Sequence, residues 1–255
     1  MALLGSEIMR SFTVEGRWVT VAVVVSCAIC FLIDTALQYN AYSKYALYYW
    51  ESAHAKPWQY VSHLFLHGDI FHLLLNMFCL WIFGSAVERM IGSLQYAAFY
   101  LLCGIGAALV YQLVTFYEFS AAIEPLLQAG IHRERLWNVF ANQQYYPQFP
   151  TSEVAIELFL RPVVGASGAL YGVLVAFACL CPRHRMVFLL LPYPLPAKVL
   201  VPLLLLIDVA AGFSGISLLG QNIAHAAHIG GALTGLLVIL LWYSLRALHV
   251  TITRD

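Results

Sequence analysis

Charge is what this sequence has least of. Only 10% of its 255 residues are Asp, Glu, Lys or Arg, 62% are hydrophobic, and mean hydropathy is +0.78. A water-soluble domain of this length cannot cover so much apolar surface with so few charges, so an integral membrane protein is implied. Acidic and basic residues cancel at 13 each, which leaves no electrostatic footprint for a nucleic-acid partner. Cysteine is absent from the polar stretches. Cys27, Cys30, Cys79, Cys103, Cys179 and Cys181 all lie in apolar runs and read as small buried residues, not as a disulfide framework. Cys27 and Cys30 form a CxxC without a second pair, which carries little weight as a metal or redox motif. There is no internal repeat and no low-complexity tract. Arg10 and Arg17 precede the first apolar stretch, and no small-x-small cleavage site follows it; a membrane span is expected there, not a cleaved signal.

Six apolar segments are present: Trp18–Leu37, Ile70–Val87, Gln95–Phe116, Gly165–Cys181, Val199–Ile216 and Ala224–Tyr243. Each suits a helix crossing a hydrocarbon core about 30 Å thick. The expected fold class is all-α, a polytopic bundle of six transmembrane helices. The expected organisation is a short N-terminus (1–17), a six-span core (18–243) with outer segments at 38–69 and 117–162, and a short tail (244–255). Eight Lys and Arg fall on the side of the termini: Arg10, Arg17, Arg89, Arg183, Arg185, Lys198, Arg246 and Arg254. Five fall on the other side, in longer loops: Lys44, Lys56, Arg133, Arg135 and Arg161. This bias puts both termini in the cytoplasm. Segment 38–69 contains Trp50 and Trp58, which suit a loop sunk into the headgroup region. In segment 117–162, Thr151-Ser152-Glu153 before the apolar run Val154–Leu160 is expected to cap a helix lying at the interface.

Polar groups inside spans are costly, so each is a functional candidate. Three clusters stand out. His72 and Asn76 are four apart and share a helix face; they are either two donors aimed at one point or ordinary interhelical ties, and alone the ties are the commoner case. His63, His67 and His72 lack a Cys or well-spaced carboxylate to complete a metal site, Asp69 being the one candidate, and metal binding is not expected there. The second cluster is Gly165-Ala166-Ser167-Gly168, with Tyr171 and Gly172 beyond it. Glycines on both sides leave Ser167 open to approach, and Gly168 with Gly172 makes a small-xxx-small groove, which is also its bland reading. The third is Ala224-His225-Ala-Ala-His228-Ile-Gly230-Gly231-Ala-Leu-Thr-Gly235, where Gly231 and Gly235 make another groove on the face of His228; the plain alternative is a structural or proton-path histidine. The fourth and sixth spans run in the same direction. If their grooves meet, Ser167 and His228 arrive at one depth, a nucleophile beside a base.

Together these residues resemble the rhomboid family of intramembrane proteases, over Trp58 to Gly235. The motifs occur in order: His67, His72 and Asn76; Gly165 to Gly168; and Ala227, His228, Gly231 and Gly235. Gly84-Ser-Ala-Val-Glu88 is similar to the family's segment at the inner end of the second span. The resemblance implies a Ser167–His228 dyad without an acid, and an oxyanion hole from His72, Asn76 and the Ser167 N–H. It implies Tyr171 stacked on His228, with Gly165, Gly168, Gly231 and Gly235 in support. It further implies a single-span transmembrane substrate cut near the outer boundary of the bilayer, in the inner membrane of a bacterial cell. Neither cofactor nor metal is implied, and no oligomeric state follows. Gln59 stands where many members carry arginine after Trp58, a departure that bears on loop anchoring more than on chemistry. The competing readings are a non-catalytic relative that binds membrane helices, and a transporter using in-span histidines and Asp208 as a proton path; matched halves are missing for the latter. Asp208 is expected near a span end or paired with a neighbouring helix. Asp34 is expected to reach water.

Overall fold

The computed structural model describes residues 16–36, 42–188, 191–214 and 224–252. Arg10 and Arg254 of the charge count, and the expected span ends Leu37 and Ile216, lie outside them. Among the described residues six helices form the bundle: α1 (Trp18–Ala36), α2 (Ile70–Ile91), α3 (Ser93–Gln128), and, after two shorter helices α4 (Arg133–Ala141) and α5 (Pro150–Leu160), α6 (Ser167–Leu180), α7 (Ala197–Ser214) and α8 (His225–Ile252). α1, α2, α3 and α8 are long and apolar enough to cross a membrane, and α6 is a shorter apolar helix. A two-stranded antiparallel hairpin, β1 (Arg185–Phe188) and β2 (Leu191–Pro196), joins α6 to α7. Large apolar side chains such as Leu32, Phe71, Phe78, Leu94 and Leu237 stay exposed on the helix surfaces, where lipid takes the place of a protein core.

Glu88 shows how the N-terminal end of α1 is tied. Fully buried, it accepts from the N–H groups of Val19 and Thr20 at 2.9 and 2.8 Å, and from the hydroxyls of Thr20 and Ser93 at 2.7 Å each. A carboxylate thus satisfies otherwise unpaired donors in the first turn of α1 and complements its dipole. Asp34, at the other end of α1, is 3% exposed. The expectation that it reaches water is wrong, because its side of the helix faces protein.

The segments expected on the outer side are more ordered than their polarity suggests. α3 runs to Gln128 with Pro125 inside it. Its 36 residues span about 54 Å at 1.5 Å each, well beyond a hydrocarbon core of about 30 Å. The extension packs on α4 and α5 around Tyr49, Phe119, Leu126, Leu136, Phe140 and Phe159. α5 begins where expected, but no side chain caps it; Pro150 occupies the first turn. The Ser152 hydroxyl instead accepts from the Tyr146 N–H at 2.9 Å.

Gln59 anchors the segment between α1 and α2. It is 0% exposed. Its amide donates to the carbonyls of Lys44 and His54 at 3.1 and 2.9 Å, and its oxygen accepts from the N–H groups of Lys56 and Tyr48 at 3.0 and 3.4 Å. Gln112 of α3 ties the same segment, donating to the Tyr48 carbonyl at 2.7 Å and accepting from the Trp50 N–H at 3.1 Å. An uncharged amide here serves four backbone groups at once. Each such group left unpaired costs about 1–3 kcal/mol. Gln59→Ala is therefore expected to lower the thermal midpoint in detergent by roughly 5–10 °C. An unchanged midpoint in differential scanning fluorimetry would show that water replaces the amide at no cost.

Candidate active site

The site is built where α6 and α8 begin. Gly165 has φ +128°, a conformation open to glycine, and its N–H donates to the His63 carbonyl at 2.9 Å. A Cβ there would stand 2.8 Å from the imidazole of His72 and 3.5 Å from the Ser167 hydroxyl. The missing side chain is what lets the His72 ring lie over the turn that presents the serine. Ser167 then opens α6, half-buried and so reachable.

The two glycine grooves meet. Cβ atoms at Gly231 and Gly235 would run into the backbones of Gly168 and Gly172. On the other side of α8, Gly230 lies against Val110 and the Gly106 carbonyl of α3, and Gly172 of α6 lies against Cys103. Three helix backbones therefore approach at distances that only small residues allow. At the start of this contact the Ser167 hydroxyl lies 2.8 Å from His228 Nε2. The Tyr171 ring is stacked on the imidazole, 4.2 Å between centroids and 9° from parallel.

His72 and Asn76 face inward on α2. Asp69 caps this helix, its carboxylate accepting from the His72 N–H at 2.9 Å. The Asn76 amide donates to the His72 carbonyl at 2.8 Å, which leaves its second N–H available. His67 touches His72 edge to face at 5.0 Å. Burial holds the imidazole of His67 neutral, pushed down to about 3, with His72 acting in the same direction. His63 is likewise pushed down to about 4 by burial, and its Nδ1–H donates to the Gln59 carbonyl at 2.7 Å.

Asp208 of α7 is the residue that motif reasoning left without a role. Its carboxylate receives His228 Nδ1 at 3.0 and 3.2 Å and His225 Nδ1 at 3.0 Å. It is 5% exposed. The histidine at Ser167 therefore does stand beside a carboxylate, contrary to the expectation of none. The signal was a lone in-span aspartate; which way it faced depended on the rotation of α7. Asp208, His225 and His228 also present metal-competent atoms within 4.8 Å of one another, although hydrogen bonds already account for these separations.

A polytopic helical membrane protein with a hydrogen-bonded serine–histidine pair at one end of its bundle is the class that these features define. The Rhomboid domain family model matches residues 54–245. The chain belongs to the rhomboid family. It is 30% identical over 189 residues to "Rhomboid protein 1, mitochondrial" of Saccharomyces cerevisiae, covering 74% of this chain and 42% of that one. It is 29% identical over 205 residues to "Rhomboid protease AarA" of Providencia stuartii, covering 77% and 61%. To "Presenilin-associated rhomboid-like protein, mitochondrial" of Bos taurus it is 27% identical over 180 residues, covering 70% and 35%. The chain thus spans less than two thirds of the length of each of these relatives.

Proposed function

We propose that this chain is an intramembrane serine endopeptidase that cuts single-span membrane proteins near the outer face of the bilayer. The observation that carries the reading is the 2.8 Å contact between the Ser167 hydroxyl and His228 Nε2, with the ring held by Tyr171. Ser167 attacks the scissile carbonyl while His228 takes its proton and later returns it to the leaving amine. The Ser167 N–H, His72 and Asn76 stabilise the oxyanion. Peptide hydrolysis needs water, and these polar side chains give it partners at the end of the bundle. A substrate helix must unwind there to expose its carbonyl, so residues that weaken a helix, such as Gly or Pro, favour cleavage. The Lys and Arg bias supports cytoplasmic termini. The bacterial inner membrane that the resemblance implies has no support from two of the relatives, which are named mitochondrial. Protease protection of tagged termini in fractionated membranes tests both.

The test of the activity is a serine-reactive fluorophosphonate. One labelled site at Ser167, with cleavage of a transmembrane reporter, separates the protease from a non-catalytic helix binder. Absence of both in folded protein rejects the reading. Loss of one oxyanion donor typically costs about 10²–10³ in rate. His72→Ala and Asn76→Ala are each expected to lower kcat/KM by that amount, and His67→Ala, which acts through the ring of His72, by less. Greater sensitivity at His67 would remove His72 and Asn76 from the oxyanion hole.

A further inference from the structure

We propose that Asp208 is a positioning residue for His228, so that the site works as a triad rather than a dyad. The proposal rests on the reading of Ser167 as nucleophile and His228 as base. Both carboxylate oxygens lie within hydrogen-bond range of His228 Nδ1, at 3.2 and 3.0 Å, while Nε2 of the same ring meets Ser167 at 2.8 Å. An imidazole carries one proton when neutral. A carboxylate can only accept, so the proton sits on Nδ1 and leaves Nε2 free to take the hydroxyl proton of Ser167. When that proton arrives, the carboxylate faces the imidazolium across the bond already formed. Tyr171 fixes the plane of the ring by stacking, and Asp208 selects its tautomer.

His225 explains how the carboxylate is held. It precedes His228 by three residues, so both rings leave α8 on one face. Its Nδ1–H donates to Asp208 Oδ1 at 3.0 Å. Gly212 makes room for it: a Cβ there would lie 3.1 Å from the Cβ of His225. α7 thus offers an acceptor at Asp208 and a gap at Gly212, one turn apart, to the two histidines at the start of α8. A buried carboxylate in a membrane helix is costly unless paired, and here both pairings lead toward the serine.

The experiment uses the full chain in detergent, with Asp208→Asn, Asp208→Glu, Ser167→Ala and His228→Ala. An asparagine amide can donate to Nδ1, which moves the ring proton to Nε2, the tautomer unable to accept from serine. In a Ser–His–Asp site this change costs about 10⁴-fold in kcat. Asp208→Asn is expected to lose about 10²–10⁴-fold, carried by kcat with KM little changed, and Asp208→Glu to recover part of it. Nitrogen-15 spectra of histidine-labelled protein are expected to show His228 as the Nδ1–H tautomer in the wild type and as Nε2–H in Asp208→Asn. Wild-type spectra showing Nε2–H at His228 overturn the proposal even if no variant folds. So does Asp208→Asn cleaving at the wild-type rate, or losing activity only in step with thermal stability while the tautomer is unchanged. Cleavage retained in both Ser167→Ala and His228→Ala rejects the protease reading itself, an outcome distinct from failure at Asp208 alone.

Discussion

Ser167→Ala is expected to abolish cleavage of a transmembrane reporter and fluorophosphonate labelling together, while the protein folds. The expected loss is on the order of 10⁴–10⁶, the scale on which removing the nucleophile of a serine hydrolase acts. The structural cost is small. The substitution removes one hydroxyl and its contact with His228 Nε2, worth about 0.5–1.5 kcal/mol. His228 keeps its Nδ1 contact with Asp208 and its stacking on Tyr171, so the ring does not have to move. The thermal midpoint therefore stays within a few degrees of wild type while activity vanishes. Purified Ser167→Ala that still cuts the reporter would remove the serine from the mechanism and return the glycines around it to a packing role.

Gly231→Ala is expected to have the largest effect on the fold. An added methyl at this position falls inside the backbone of Gly168. Overpacking a core typically costs about 1–3 kcal/mol when side chains can yield. Here the obstacle is a carbonyl fixed in α6, so α6 and α8 must separate. Separation also pulls Ser167 from His228, and a misplacement of about 1 Å at a catalytic pair can cost about 10²-fold. Gly231→Ala is therefore expected to lower both the thermal midpoint and kcat/KM, the latter by at least that factor. Leu233→Ala, two residues on and exposed, serves as the control and leaves both near wild type. A Gly231→Ala protein with unaltered melting and cleavage would contradict the close approach of the two helices.

The helical membrane bundle was legible because hydropathy over about 20 residues responds directly to a hydrocarbon solvent, and four of its helices are long and apolar enough to cross a membrane. The juxtaposition of Ser167 and His228 was legible for a second reason. Ser167 immediately precedes a glycine pair, His228 lies three residues before another of the same spacing, and two such grooves on parallel helices pack in few ways. Where the solvent changes, the signal weakens. α3 continues for twelve residues past Phe116, beyond the hydrocarbon, where Glu118, Ser120 and Glu124 lower its hydropathy although Phe119, Ile123 and Leu126 pack on α4 and α5. The capping pattern at Thr151-Ser152-Glu153 pointed to a helix correctly and to its cap incorrectly, since Pro150 starts the helix and Ser152 is drawn to Tyr146. By itself the sequence determined a membrane bundle of the rhomboid type and which glycines bring α6 and α8 together. Only the tertiary structure decided that Asp208 faces His225 and His228 and that Gln59 secures the segment between α1 and α2. Both depend on how a helix or loop is rotated against its neighbours, and one polar residue in an apolar run carries no period from which that rotation can be read.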